Sequence, residues 1–207
     1  CTETTLVGGF IESLVSGIDV TGDNVTIQGC VFTNYKDAID LDDANVLIVK
    51  NVSIPDSETG IRVADSHRLT ILNNTFGSKT VAGQADGISI AGTASLSGSN
   101  NSIIRNNVFT DLVHTILISG AHNNVIRNNT FLQNNAGLRW DSTAASNNNS
   151  VYHNNFSETS NEHIRYDNVV GNNDSFNFTI GTFIQGNSYS DYCDKGVSTD
   201  GDAYADQ

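Results

Sequence analysis

Apolar and polar residues alternate along this chain in short bursts, and the bursts return at a nearly fixed interval. Residues 123–131 read N-N-V-I-R-N-N-T-F, residues 101–109 read N-S-I-I-R-N-N-V-F, and residues 148–156 read N-N-S-V-Y-H-N-N-F. The residue closing the phrase falls at Phe10, Phe32, Ile54, Phe76, Phe109, Phe131 and Phe156, 22 residues apart except for two longer steps. Five positions earlier runs a second column: Ile27, Val49, Ile71, Ile104, Ile126 and Val151. A third set follows the phrase: Ile18/Val20, Ile39/Leu41, Ile61/Val63, Ile88/Ile90, Ile116/Ile118, Leu138/Trp140 and Ile164/Tyr166. Alternation with period 2 marks strands with one inward face, and self-similarity at a period of tens of residues marks stacked repeats.

Short strands that return once per coil in the same direction can pair only with the coil above and the coil below. Each coil then advances by about 4.8 Å, the spacing of paired strands. No segment between the strands has room for a crossover helix, so a βαβ arrangement is excluded. The pattern predicts an all-β parallel β-helix of about eight coils of roughly 22 residues over 1–192, followed by an acidic C-terminal tail over 193–207. The longer steps become insertions at corners, at 77–87, 92–100 and 141–149. Between the first two apolar columns lies a polar position, Asn74, Asn107, Asn129 and Asn154, preceded by Cys30 and Val52 in the earlier coils. By alternation it faces inward, where stacked amides can bond coil to coil instead of being buried unpaired.

These N-x-I-x-x-N-x-F repeats resemble the right-handed parallel β-helix repeats of carbohydrate-associated proteins, including the NosD type and many archaeal cell-surface proteins. Residues 186–192 (G-N-S-Y-S-D-Y) and 200–206 (D-G-D-A-Y-A-D) are similar to the tail that follows such repeats. The resemblance implies a right-handed helix. It specifies function poorly, because one β-helix scaffold hosts lyases, hydrolases, epimerases, adhesins and structural proteins.

The formal charge is −13 and the pI about 4.4, which argues against a nucleic acid or an anionic membrane as the principal partner. No apolar run approaches the roughly 18 residues of a membrane span. The chain starts at Cys1 and reads as a mature or trimmed product, or as a piece of something larger. Cys30 occupies the inward ladder and is expected to be a buried thiol. Cys1 and Cys193 sit about seven coils apart, too far to pair in one straight solenoid. A lipid-modified Cys1, a contact between subunits and a folded-back Cys193 all remain open. Copper, which the NosD likeness raises, is not carried over: His67, His114, His122, His153 and His163 are scattered and the chain has no Met.

Two charged faces are candidates for chemistry. Outward positions between the third-set residues run Asp19, Asp40, Arg62, Ser89, Leu117, Arg139 and Arg165. Carboxylates stacked one coil apart repel unless a cation sits beside them. Asp19, Asp40 and Asp42 with Arg62 resemble, in residue type, the calcium-plus-Arg arrangement of polysaccharide lyases, and are the catalytic alternative. Arg139, Asp141, Arg165 and Asp167 form an ion-pair ladder or a groove for an acidic sugar. Asp200, Asp202 and Asp206 approximate the alternating oxygens of a calcium loop, without its terminal Glu. No cofactor is required, and Ca²⁺ is the one metal these residues suggest.

Nine N-x-[S/T] sequons occur, at Asn24, Asn51, Asn73, Asn100, Asn128, Asn148, Asn155, Asn173 and Asn177. In a secreted protein these are glycosylation sites. The first repeat has Phe10 and Ile18 in register with no capping helix ahead of it, and an uncovered edge invites head-to-tail pairing with another copy or a neighbouring domain. The expected function is therefore an extracellular or cell-surface structural or adhesive protein, glycosylated and non-catalytic. The alternative is a polysaccharide-active enzyme or carbohydrate-binding module working on one of the charged faces.

Overall fold

The computed structural model describes residues 5–7, 16–77, 85–92, 98–141, 146–157, 162–166, 178–180, 183–185 and 188–189. Residues 5–7, 162, 166 and those from 178 onward are described by their backbone alone. Each coil turns through three walls. The first wall is a six-stranded parallel sheet of Thr26–Gln28, Ile48–Lys50, Thr70–Leu72, Ile103–Arg105, Val125–Arg127 and Ser150–Tyr152. The second wall carries the residues that close the phrase, in Thr75–Phe76, Val108–Thr110, Thr130–Leu132 and Asn155–Ser157. The third wall holds Ser16–Val20, Asp86–Ala91, His114–Ser119, Ala136–Trp140 and Glu162–Tyr166. In two coils the chain runs through both walls without a break, as the twelve-residue strands Val31–Asp42 and Ser53–Ala64. These two strands join the second and third walls into one 13-stranded sheet, with a bulge where the chain bends past Val31 and Thr33.

The inward columns pair as their spacing predicts. Ile27 faces Val49, Val49 faces Ile71, and Ile104 lies between Ile71 and Ile126, each at 5 % exposure or less. On the second wall Phe76, Phe109, Phe131 and Phe156 stack with ring centroids 4.7, 5.1 and 4.5 Å apart. Their edges fill the space against the third wall, where a small residue must sit. A Cβ on Gly87 would lie 2.5 Å from the Thr115 carbonyl oxygen and 2.7 Å from the Phe109 ring. This is why residues 87 and 88 both point inward, and why strict alternation fails on the third wall.

Left-handed backbone turns the coil between the first two walls, at Gly29, Asn51, Asn73, Asn106, Asn128 and His153. The side chain that follows each of these points in, and it is there that the asparagine ladder forms. Asn74 N–H donates to Asn107 Oδ1, Asn107 N–H to Asn129 Oδ1 and Asn129 N–H to Asn154 Oδ1, each at 2.9 Å. The amide nitrogens of Asn74, Asn107 and Asn129 reach the same oxygens at 3.1, 3.0 and 3.0 Å. Cys30, at the head of the column, is 1 % exposed with its thiol directed at the Gln28 carbonyl.

The structure departs from expectation at the ends. Six coils are complete among the described residues, where about eight were expected, because the outermost levels reach only one or two walls. At the first level Leu6, not Phe10, stands opposite Phe32; Phe10 lies outside the described residues. At the last level Tyr189 stands opposite Phe156, which adds one more strand to the second wall. An antiparallel pair, Phe178–Ile180 with Phe183–Gln185, interrupts the parallel pattern just before it.

Candidate functional site

The third wall presents its outward side chains in straight files, because each coil repeats the register of the one before. Asp19, Asp40, Arg62, Ser89, Leu117, Arg139 and Arg165 stand one above another, as the sequence spacing requires. Arg62 Nη1 donates to Asp40 Oδ1 at 2.8 Å. That hydrogen bond raises the Arg62 pKa further, so the guanidinium stays charged. Asp19 and Asp42 are exposed beside the pair. Beside Arg139 stands Arg165, and Asp141 follows at the strand end, its N–H donating to the Ile118 carbonyl at 2.8 Å. Asp167 lies outside the described residues, as do Asp200, Asp202 and Asp206.

A second file on the same wall holds the more structured group. Asp37, Thr59, Asp86, His114 and Ala136 are register neighbours. Asp86 Oδ1 lies 2.8 Å from His114 Nδ1, and His114 Nε2 lies 3.1 Å from Arg139 Nη1. A guanidinium can only donate, so Nε2 must accept and the imidazole proton sits on Nδ1, shared with Asp86. Asp86, His114 and Arg139 thus form a relay that crosses from one file to the other over three coils. Two coils away, burial pushes the Asp37 carboxyl up from its ordinary range; a hydrogen bond from Thr59 opposes this and the nearby Asp40 charge adds to it. Asp37 is 5 % exposed.

Asp37, Asp86 and His114 were not candidates in the sequence because their file precedes the paired inward residues that break the alternation. The signal was present in the small residue that follows each file position, in D-A-I-D, T-G-I-R, D-G-I-S, H-T-I-L and A-G-L-R. A further inward ladder was also hidden, at the corner leading into the first wall. Ser102 N–H donates to Asn124 Oδ1 at 2.9 Å, and Asn124 N–H to Asn149 Oδ1 at 3.0 Å.

Among the sequons, Asn24, Asn51, Asn73, Asn128 and Asn148 occupy left-handed corners with exposed side chains, and Asn155 is exposed on its strand. Asn100 is half-buried, with its Oδ1 accepting from His122 N–H at 3.0 Å. Asn173 and Asn177 lie outside the described residues.

Metal ligation finds no support among the described residues, where no three His, Cys, Asp or Glu side chains converge. Both ring nitrogens of His114 are engaged, and His122 Nδ1 accepts from Asn147 N–H at 3.1 Å. No described helix is long and apolar enough to cross a membrane.

A family model described as periplasmic copper-binding protein (NosD) matches residues 4–193. No curated protein matches the chain. Among solved structures, a hyperthermoactive exopolygalacturonase from Thermotoga maritima is similar, with a TM-score of 0.58 and 19 % identity, covering 74 % of this chain and 39 % of its own. A family 28 exopolygalacturonase from Yersinia enterocolitica is similar with a TM-score of 0.56 and 14 % identity, covering 84 % of this chain and 36 % of its own. The chain thus spans well under half the length of either enzyme, and the likeness establishes a right-handed parallel β-helix. The copper named in the family description does not fit the side chains described here: the clustered donors are absent among them and the sequence holds no Met.

Proposed function

Because the chain belongs to the NosD family, whose description is periplasmic, we propose that it is an exported β-helical protein that holds carbohydrate on its third wall without cleaving it. The observation that carries this reading is the Asp86–His114–Arg139 relay beside the Asp40–Arg62 pair. Together they set fixed donors and acceptors in files along the outward side of the wall, a pattern suited to sugar hydroxyls. Arg62 and Arg139 are both engaged and carboxylates flank them, so the wall favours a neutral, hydroxyl-rich glycan over an acidic one. Carbohydrate is the class to screen because the two structural neighbours are exopolygalacturonases on the same scaffold. An adhesive role in the cell envelope, with N-glycans on exposed corner sequons such as Asn128 and Asn148, accords with this reading.

The test is titration calorimetry against neutral oligosaccharides. His114→Ala and Arg139→Ala should each weaken binding by about tenfold, the scale of one lost charge-assisted contact. Arg127→Ala, on another wall, should leave it unchanged. If no neutral glycan binds, or if all three variants behave alike, the third wall is not the site.

One observation favours a second reading, glycosidic cleavage. Asp37 and Asp86 stand two coils apart, on the order of 10 Å, near the upper end of the carboxyl separation of inverting glycosidases. Burial helps Asp37 keep a proton, as a general acid must. Release of reducing ends that disappears in Asp37→Asn would establish turnover.

A further inference from the structure

The first wall carries the opposite electrostatics from the rest of the chain. The sequence holds 23 acidic and 10 basic residues. Yet from one left-handed corner of this wall to the other, in 24–29, 46–51, 68–73, 101–106, 123–128 and 148–153, there is no Asp or Glu. Four cations lie in these segments: Lys50, Arg68, Arg105 and Arg127. Three of them belong to one outward file, in which Gln28, Lys50, Leu72, Arg105, Arg127 and Tyr152 are register neighbours. Arg105 and Arg127 stand directly opposite each other on paired strands, about 4.8 Å apart along the axis. Neither forms an ion pair among the described residues, in contrast to Arg62. Like charges so placed repel, and an anion bridging them would relieve the repulsion.

The surroundings favour a chain-like ligand with polar and apolar faces. The parallel file reads Thr26, Ile48, Thr70, Ile103, Val125 and Ser150, mixing hydroxyl and aliphatic side chains, and Ile103 is 36 % exposed. Along the adjoining corner runs a shallow groove of about 470 Å³ lined in part by Asn51, Ser53, Asn73 and Thr75. Amides and hydroxyls there border the Lys50 end of the cationic file.

We propose that the first wall binds an acidic polysaccharide, lying along the helix axis with its carboxylate or sulfate groups on Lys50, Arg105 and Arg127. Charge complementarity selects an anion, and the one-dimensional file with its flanking hydroxyl and aliphatic side chains selects a linear glycan over a compact ion. The site is separate from the neutral-glycan site of the third wall and does not depend on it. An N-glycan on Asn51 or Asn73 would fill the same groove, so the two uses of this corner exclude each other.

The experiment measures binding of the full 207-residue chain, made without N-glycosylation, to immobilised dextran sulfate and to polygalacturonate across a salt series. Neutral dextran is the control. Retention on both polyanions that falls steeply with salt is expected, whereas any retention on dextran should respond neither to salt nor to substitution of the first-wall cations. Arg105→Gln with Arg127→Gln should weaken it by about tenfold or more and lower the slope of log affinity on log salt by about one to two, through two fewer released counterions. Lys36→Gln, which removes an exposed cation of Val31–Asp42 outside the first wall, should change neither quantity. Circular dichroism confirms that each variant is folded, and Lys50→Gln supplies an independent substitution should the double variant fail to fold. Equal loss in Lys36→Gln, or no retention by the parent chain, overturns the proposal. So does binding to phosphatidylserine vesicles without binding to either polyanion, which assigns the wall to a lipid surface. Self-association that disappears in the double variant, without polyanion binding, assigns it to a second copy and overturns it equally.

Discussion

The first and third walls are built from the same repeat, yet they treat charge in opposite ways. On the third wall Arg62 is tied to Asp40 and Arg139 to His114, which is held in turn by Asp86. On the first wall Arg105 and Arg127 stack without a carboxylate between them. Packing differs as well. The third wall lies so close to the ring stack that residue 87 must be glycine, whereas the first wall accepts an aliphatic side chain at every inward strand position from Ile27 to Val151. A solenoid can therefore assign separate tasks to its walls without altering its coil, since outward positions carry little of the folding energy.

Substitutions of graded size test how far this contrast extends. The largest effect is expected from Gly87→Ala, which places a methyl against the Thr115 carbonyl and the Phe109 ring and should cost about 3 kcal/mol of unfolding free energy. The matching inward change on the first wall, Ile126→Val, should cost only about 1 kcal/mol. Urea unfolding reads both, and equal losses would mean that the close approach is not specific to the third wall.

At the corner entering the first wall, Val46 is held at φ 56° and is 42 % exposed, while Asn24, Asn101, Asn123 and Asn148 fill equivalent corners. A β-branched residue is strained there and asparagine is tolerated, so Val46→Asn should stabilise by about 1 kcal/mol. No gain in the urea midpoint would show that the corner has relaxed around valine.

The smallest effect separates the walls by pH. Burial raises the Asp37 carboxyl above its ordinary value of 3.8, so the folded chain keeps a proton that the unfolded chain gives up. The stability this contributes is complete below the unfolded value and is lost as pH rises through the folded one. Asp37→Asn should then melt above the parent near neutral pH, with the margin closing as pH falls toward 3.8. Lys50→Gln, on the acid-free wall, should show no margin that closes in this way. A margin for Asp37→Asn that persists at low pH would point to packing instead of ionisation.

Much of this architecture is legible in the sequence because a parallel helix converts spacing directly into contact. The phrase N-N-V-I-R-N-N-T-F is decoded almost letter by letter: Asn123 and Asn128 take the left-handed corners, while Asn124 and Asn129 turn inward as rungs of two ladders. Ile126 and Phe131 enter the core. Val125 and Arg127 face out as half-buried residues of the first wall. Alternation and a fixed period suffice for those assignments, since each residue's surroundings are copies of itself one coil away.

Tertiary structure decided what periodicity leaves open. Asp86 and His114 are 28 residues apart because the corner insertion at 92–100 lies between their coils, and Arg139 stands three residues beyond Ala136, the register neighbour of His114, so sequence spacing does not reveal that they meet. Two consecutive inward residues on the third wall also displace that file from the period-2 count. The acid-free character of the first wall emerges only when six short segments, scattered from 24 to 153, are laid side by side. Sequence determined the coil and the direction of most side chains, because both follow from local alternation and repeat. The partners those side chains meet were decided by stacking, because insertion length and backbone approach set which coils bring their charges together.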